Sequence, residues 1–322
     1  MRIAIVGAGA MGGLFVARMF DSGHRLVLVD VNRKLIGAIQ ENGLTLIEGL
    51  VEKRCYPVIG RASDFVEEVD LIIFLTKSQH TRGAAESCRH LVSSHTVVLS
   101  LQNGLGGPEV LEDVFSTSRI LMGITTCPAD AVSLGVVETE PAGEVRIGAR
   151  SQGVDDCVPA LVDILNGAGF RCVSDPHVRI SVWEKVAFNT ALNYLCAICR
   201  VPVGVVRDSH CAREIAFSAA REVAEVARAV GVEVNPQRIV ESIVHALETQ
   251  GTHKPSMLQD LENGRLTEVD AISGAVLKLA TDHGVSTPLS RCSIRSSGSP
   301  SCLRASGESV HSRPPEAGAR RL

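Results

Sequence analysis

Apolar positions along the chain follow two periods in succession, and the change between them divides the molecule. Residues 2–6 (RIAIV) and 25–30 (RLVLVD) are short, nearly continuous apolar runs, as buried strands are. Between them Leu14, Phe15, Met19 and Phe20 recur at helical spacing over residues 12–22, which predicts one βαβ unit. Further strand runs lie at 71–76, 96–101 and 119–123, and residues 136–139 and 144–147 flank Pro141-Ala142-Gly143 as a predicted hairpin. From about Ser174 the period becomes that of long helices: 180–199, then 211–230 ending at Gly231, then 236–249 with Pro236 in its first turn. A fifth helical pattern follows Thr267, with Val269, Ile272, Val276 and Leu279 on one face and Gly284 as its stop. The reading is an α/β fold: an N-terminal Rossmann-type doubly wound parallel sheet over 1–174, then an all-α domain over 175–290. After Pro288 the periodicity is lost, and the Ser-, Arg-, Gly- and Pro-rich stretch 291–322 is expected to be a disordered or aberrant tail.

Composition narrows the classes. A 322-residue chain with 45% hydrophobic and 21% charged residues suits a globular protein of two domains, with its core built from aliphatic side chains because aromatics make up only 3%. A net charge of −4 gives no reason to expect nucleic acid or an anionic membrane as partner. No apolar stretch is long and uninterrupted enough to span a bilayer, and the first residues run directly into a strand, so a cytoplasmic location is expected. Ten cysteines are read as reduced thiols. Cys196 and Cys199 form a CxxC, but with no second pair at metal-binding spacing they read as small hydrophobes on a helix, and no metal site is expected.

The chemistry begins at residues 7–12, Gly7-Ala8-Gly9-Ala10-Met11-Gly12, which follow a strand and open a helix. Gly7 permits the tight turn, Gly9 lets backbone approach a pyrophosphate, and Gly12 lets helix pack closely. The helix N-terminus then offers unpaired N–H groups and partial positive charge to the phosphates. Asp30, at the end of the second strand, suits the ribose hydroxyls of NAD(H) and repels a 2′-phosphate. Arg33 and Lys34 could instead hold that phosphate or simply be solvated, so the residues leave the cofactor's phosphate open.

Lys77 follows one strand and Gln102-Asn103-Gly104 another, which puts both at the sheet edge that carries the glycine turn. Either alone reads as a solvated loop residue. Lys185, Asn189 and Asn193 at i, i+4 and i+8 share one helical face in a largely apolar segment, which predicts a polar cleft rather than a solvent stripe. Glu268, after a possible Thr267 cap, reads from spacing alone as a partner for the helix dipole.

Together the glycine turn, Lys77, QNG, the segment WEKVAFNTALN at 183–193 and PSMLQD…TEVD at 255–270 resemble the ketopantoate reductase (2-dehydropantoate 2-reductase) family over about residues 1–290. The resemblance implies NADP(H)-dependent reduction of a small-molecule 2-oxo acid, ketopantoate, to pantoate on the way to coenzyme A. It implies Lys185 as catalytic lysine and Glu268 as the acid that holds the substrate hydroxyl. Asn189 and Asn193 would face the substrate, Ser256 would lie near its carboxylate, and Asn103 and Lys77 would line the nicotinamide and substrate cleft. Two departures stand out: Asp30, which points to NAD(H), and the chain after Pro288, where the family normally has one more amphipathic helix. The alternatives are a reductase of another small 2-oxo acid and a non-catalytic dinucleotide-binding redox sensor. Helix 211–230 can pack within its own domain or across a homodimer, and the sequence does not separate the two.

Overall fold

The computed structural model describes residues 1–115, 117, 119–150 and 156–296. Among the described residues twelve strands form two sheets: β1 (Arg2–Val6), β2 (Arg25–Val29), β3 (Leu44–Glu48), β4 (Val51–Cys55), β5 (Val58–Gly60), β6 (Leu71–Phe74), β7 (Val97–Ser100), β8 (Ile120–Thr125), β9 (Asp130–Ser133), β10 (Val136–Thr139), β11 (Val145–Ala149) and β12 (Cys172–Ser174). The main sheet has the order β12-β11-β8-β7-β6-β1-β2-β5 and is parallel except where β11 meets β8. The chain builds outward from β1 to β2 and β5, then returns to add β6, β7 and β8 on the other side. That reversal opens a crevice beyond the carboxyl ends of β1 and β6, where the glycine turn and Lys77 sit.

The apolar runs are strands because both faces of this sheet are covered. Ile3, Ile5, Leu28 and Ile73 are enclosed on one face, and Ala4, Ile72, Phe74 and Val98 on the other. The predicted hairpin does not form. β10 pairs in parallel with β3 and antiparallel with β9 in a second, four-stranded sheet, while β11 pairs with β8 and β12. Each strand buries more apolar surface away from the other: Val145 and Ile147 are fully enclosed in the main sheet, and Val137 packs over Gly13 of the first helix. Period-2 patterning identifies a strand but not its partner.

Helices begin in earnest at Val178–Cys199, a 22-residue element that packs against the helices His210–Ala229, Pro236–Thr249 and Ser256–Glu262 and also against β8. It is buried nearly all round, as a helix shared by two halves must be. It ends at Arg200, whose left-handed backbone (φ 54°) is the one non-glycine example among the described residues. The fold is thus a Rossmann-type N-terminal sheet domain followed by a helical C-terminal domain. Among the described residues no helix is long and apolar enough to cross a membrane.

Two expectations about the C-terminal part are corrected. Thr267 caps no helix; a π-turn, Asp270–Gly274, leads into the helix Ala275–Asp282. The chain also continues past residue 290 as a helix, Pro288–Ser296, so the tail does not begin at 291. Its start is held by buried Glu222, which accepts from the N–H groups of Leu289 (2.8 Å) and Ser290 (2.9 Å) and from the Ser290 hydroxyl (2.9 Å). The weak apolar pattern there hid a helix anchored at its N-terminus by a distant carboxylate. Residues 297–322 lie outside the described residues. Cys196 is buried, and that burial pushes its thiol up to about 12, while Cys199 is exposed.

Candidate active site

The glycine turn is built as its residues require. Gly7 has φ +103°, and a side chain there would meet the Thr76 backbone at 2.9 Å. A Cβ at Gly12 would lie 1.7 Å from the Gly7 carbonyl oxygen, so the helix Ala10–Met19 packs directly on the turn itself. Gly9, by contrast, faces open space. Its helix begins without a side-chain cap, leaving first-turn N–H groups for a ligand. This cradle fits a dinucleotide pyrophosphate. Asp30 is spent partly on the turn: one carboxylate oxygen accepts from Ala8 N–H (2.7 Å) and the other from Asn32 N–H (2.8 Å). Arg33 and Lys34 are exposed. Met11 packs against the sheet core.

Gln102 ties the loops after β6 and β7 together. Its carboxamide nitrogen lies within 2.8–2.9 Å of Thr76 O, Thr76 Oγ1 and Thr81 Oγ1. Gly104 and Leu105, two and three residues on, reach across the cleft. Leu105 N–H donates to Ala271 O (2.9 Å), and Gly104 (φ +87°) approaches so closely that a Cβ would stand 2.4 Å from that same oxygen. The π-turn after Glu268 is thereby docked on the sheet domain.

Asn103 is the hub. Its Oδ1 accepts from Lys185 Nζ at 2.8 Å, and its Nδ2 donates to Glu268 Oε2 at 3.1 Å. Lys185 also donates to the Thr125 carbonyl at 2.7 Å, which leaves the third ammonium proton without a partner among the described residues. Burial pulls Lys185 down from 10.5 to about 8, against the opposing pull of Glu268 and Cys127. Glu268 Oε1 in turn accepts from the Ser78 N–H (3.0 Å) and lies 2.9 Å from the Ser78 hydroxyl. Glu268 is therefore not a helix-dipole partner but a clamped carboxylate one residue removed from the lysine.

Asn189 and Asn193 are 6% and 8% exposed, one and two turns along from Lys185, and their carboxamides have no partner among the described residues. Their amide atoms are not fully enclosed, so both carboxamides keep open donors and acceptors that a ligand or water can meet. A cavity of about 230 Å³ opens at Glu268, lined also by Ser78, Thr81, Leu105 and Ala271; Lys185, Asn189 and Asn193 are not part of its wall. A larger one of about 350 Å³, lined by Arg18, Glu48 and Lys53, contains none of these residues.

Two predicted residues stand apart from this network. Ser256 is exposed in the first turn of its helix and makes no hydrogen bond to Lys185, Asn103 or Glu268. Lys77 crosses the cleft, but to protein: its Nζ pairs with Asp260 at 2.5 Å and donates to Leu266 O at 3.1 Å. Asp260 is buried and also meets Arg265 at 3.1 Å. Ser78 and Thr125 were not singled out by sequence, and Gln102 and Asp260 entered only as parts of the QNG and PSMLQD segments. Ser78 and Gln102 adjoin residues that were, whereas Thr125 contributes only a backbone carbonyl, which no side-chain pattern can reveal.

A glycine cradle at the switch point of a doubly wound sheet, facing a partly buried lysine on a second domain, defines a dinucleotide-dependent oxidoreductase. The comparisons agree. The family described as "Ketopantoate reductase PanE/ApbA" matches residues 3–152, and its C-terminal counterpart matches residues 177–295. The chain belongs to the ketopantoate reductase family. It is 30% identical over 292 residues to a 2-dehydropantoate 2-reductase of Streptococcus pyogenes serotype M6, covering 90% of this chain and 95% of that one. It is 32% identical to a 2-dehydropantoate 2-reductase of Pyrococcus horikoshii, covering 90% and 94%. Among solved structures it resembles a D-mandelate dehydrogenase in ternary complex with NADH and anilino(oxo)acetate, with TM-score 0.89, 29% identity, and 92% and 97% of the two chains covered.

Proposed function

We propose that this enzyme reduces ketopantoate to pantoate, with 1–174 binding the dinucleotide, 175–290 forming the substrate wall, and Lys185 donating the proton. The observation that carries the reading is the Lys185 ammonium, held by Asn103 Oδ1 and Thr125 O with one proton left to give. A bound reduced nicotinamide supplies the hydride to the 2-oxo carbon. As the carbonyl oxygen gains negative charge, Lys185 stabilises it and then transfers its proton, and the neutral amine is reprotonated from solvent. Arginine could offer the charge but not release the proton. Asn103 fixes the lysine and Glu268 relative to each other. Asn189 and Asn193 bind the oxo acid from the helix face, Glu268 accepts its hydroxyl, and Ser256 meets its carboxylate from the rim.

For the cofactor we favour NAD(H). The Asp30 carboxylate sits at the end of β2 beside the turn, where it opposes a 2′-phosphate, and the NADH complex of the mandelate dehydrogenase supports the same preference. The test is the nicotinamide absorbance with ketopantoate and either reduced cofactor. Oxidation with kcat/KM higher by about tenfold for NADH is expected, roughly one charge repulsion. No oxidation with either cofactor would overturn the reading.

A second reading, a reductase of another small 2-oxo acid, is favoured by the likeness to D-mandelate dehydrogenase. Competing ketopantoate against phenylglyoxylate in the same assay separates the two by their kcat/KM ratio.

A further inference from the structure

Ser78 lies at the centre of the Glu268 clamp, yet it belongs neither to the glycine turn nor to the lysine helix. Its N–H donates to Glu268 Oε1 (3.0 Å), and its hydroxyl oxygen stands 2.9 Å from that atom and 2.8 Å from the Asn103 carbonyl oxygen. A hydroxyl has one proton and both neighbours are acceptors, so it can donate to only one of them at a time. We propose that Ser78 is a positioning residue that holds Glu268 oriented in the empty cleft and turns to the Asn103 carbonyl when the substrate's hydroxyl takes its place on the carboxylate. The proposal rests on the reading of Glu268 given above.

With substrate bound the exchange leaves every member of the clamp partnered; without it the Asn103 carbonyl gives up the Ser78 proton so that the carboxylate keeps both of its donors. Without substrate, Oε1 keeps two donors and Oε2 keeps the Asn103 amide. With substrate, Oε1 gains the substrate hydroxyl while Ser78 satisfies the Asn103 carbonyl. A carboxylate fixed in advance loses less freedom on binding, so the benefit falls on substrate affinity rather than on proton transfer. The local turn does not need the side chain: Thr81 Oγ1 donates to the Ser78 carbonyl, and the Ser78 N–H reaches Glu268 from the backbone. Ser78→Ala should therefore fold.

The test compares wild type, Ser78→Ala and Ser78→Thr on two acids: ketopantoate and 3,3-dimethyl-2-oxobutanoate, the same skeleton without the hydroxyl. In Ser78→Ala, KM for ketopantoate should rise roughly threefold to tenfold, the cost of ordering a carboxylate that is no longer held in advance, with kcat within about twofold. KM for the reduced dinucleotide and KM for the hydroxyl-free acid should not move, and Ser78→Thr should restore the ketopantoate value. An equal loss on both acids would overturn the proposal, because Ser78 would then act on the loop or on Lys185. So would an unchanged KM for ketopantoate. If the wild type itself fails to favour ketopantoate over the hydroxyl-free acid, the reading of Glu268 falls and this proposal falls with it. The wild-type comparison alone identifies that case.

Discussion

Lys185→Ala is expected to lower kcat for reduction by about a thousandfold, within the range for losing a positioned general acid. The dinucleotide should still bind, because its cradle lies on another element. Stability should not suffer. A lysine held down to about 8 in the fold and free at 10.5 when unfolded is a cost to folding whenever both states are protonated. The unfolded state binds the proton more tightly. The cost is therefore full below about pH 8 and fades as pH rises toward 10.5. Removing the side chain removes that cost, at the expense of leaving Asn103 Oδ1 and the Thr125 carbonyl without the ammonium they accept from. A thermal melt of the variant alongside its turnover checks both halves: near wild-type turnover would refute the assignment, and a collapsed melt would show a structural role instead.

Glu222→Ala is the largest expected effect on stability. Its buried carboxylate accepts three hydrogen bonds at the start of the helix Pro288–Ser296, two of them from backbone N–H groups. Losing a charged acceptor there leaves buried donors unpaired, a cost of about 3 kcal/mol. The thermal midpoint should fall by roughly 6 °C. Glu222→Gln should recover only part of this, since a carboxamide has a single acceptor oxygen for the three donors. An unchanged midpoint in Glu222→Ala would mean that this last helix adds little to the fold.

Much of the architecture was legible because it is written in period. The runs at β1, β2, β6, β7 and β8 are apolar on both faces, and two of the helical patterns carry their own stops, at Gly231 and Gly284. What period does not encode is partnership. β10 and β11 looked like neighbours because a Pro-Ala-Gly turn joins them, yet they belong to different sheets. The short exposed strand β9 carried too little pattern to notice. The last helix was missed because its anchor, Glu222, is remote in sequence.

The site divides in the same way. Lys185, Asn189 and Asn193 were visible from spacing, since three polar groups on a buried face need a reason. Glu268 was not, because an acid in a first helical turn has a sufficient local explanation. Only the contacts with Ser78 and Asn103 show that it faces the cleft. Ser256 came from resemblance, and Lys77 from its place after a strand at the sheet edge together with resemblance. Here the first stands exposed and the second grips Asp260.

The most direct test of Lys185 as proton donor is the pH dependence of kcat/KM for the reduction, which reports groups ionising in the free enzyme. Reduction needs the protonated lysine, so the rate should be flat below and fall tenfold per pH unit above about 8, where Lys185 loses its proton. The residual activity of Lys185→Ala should lack that limb. A wild-type rate that stays level up to pH 10, or a variant that keeps the same fall near 8, would contradict the account.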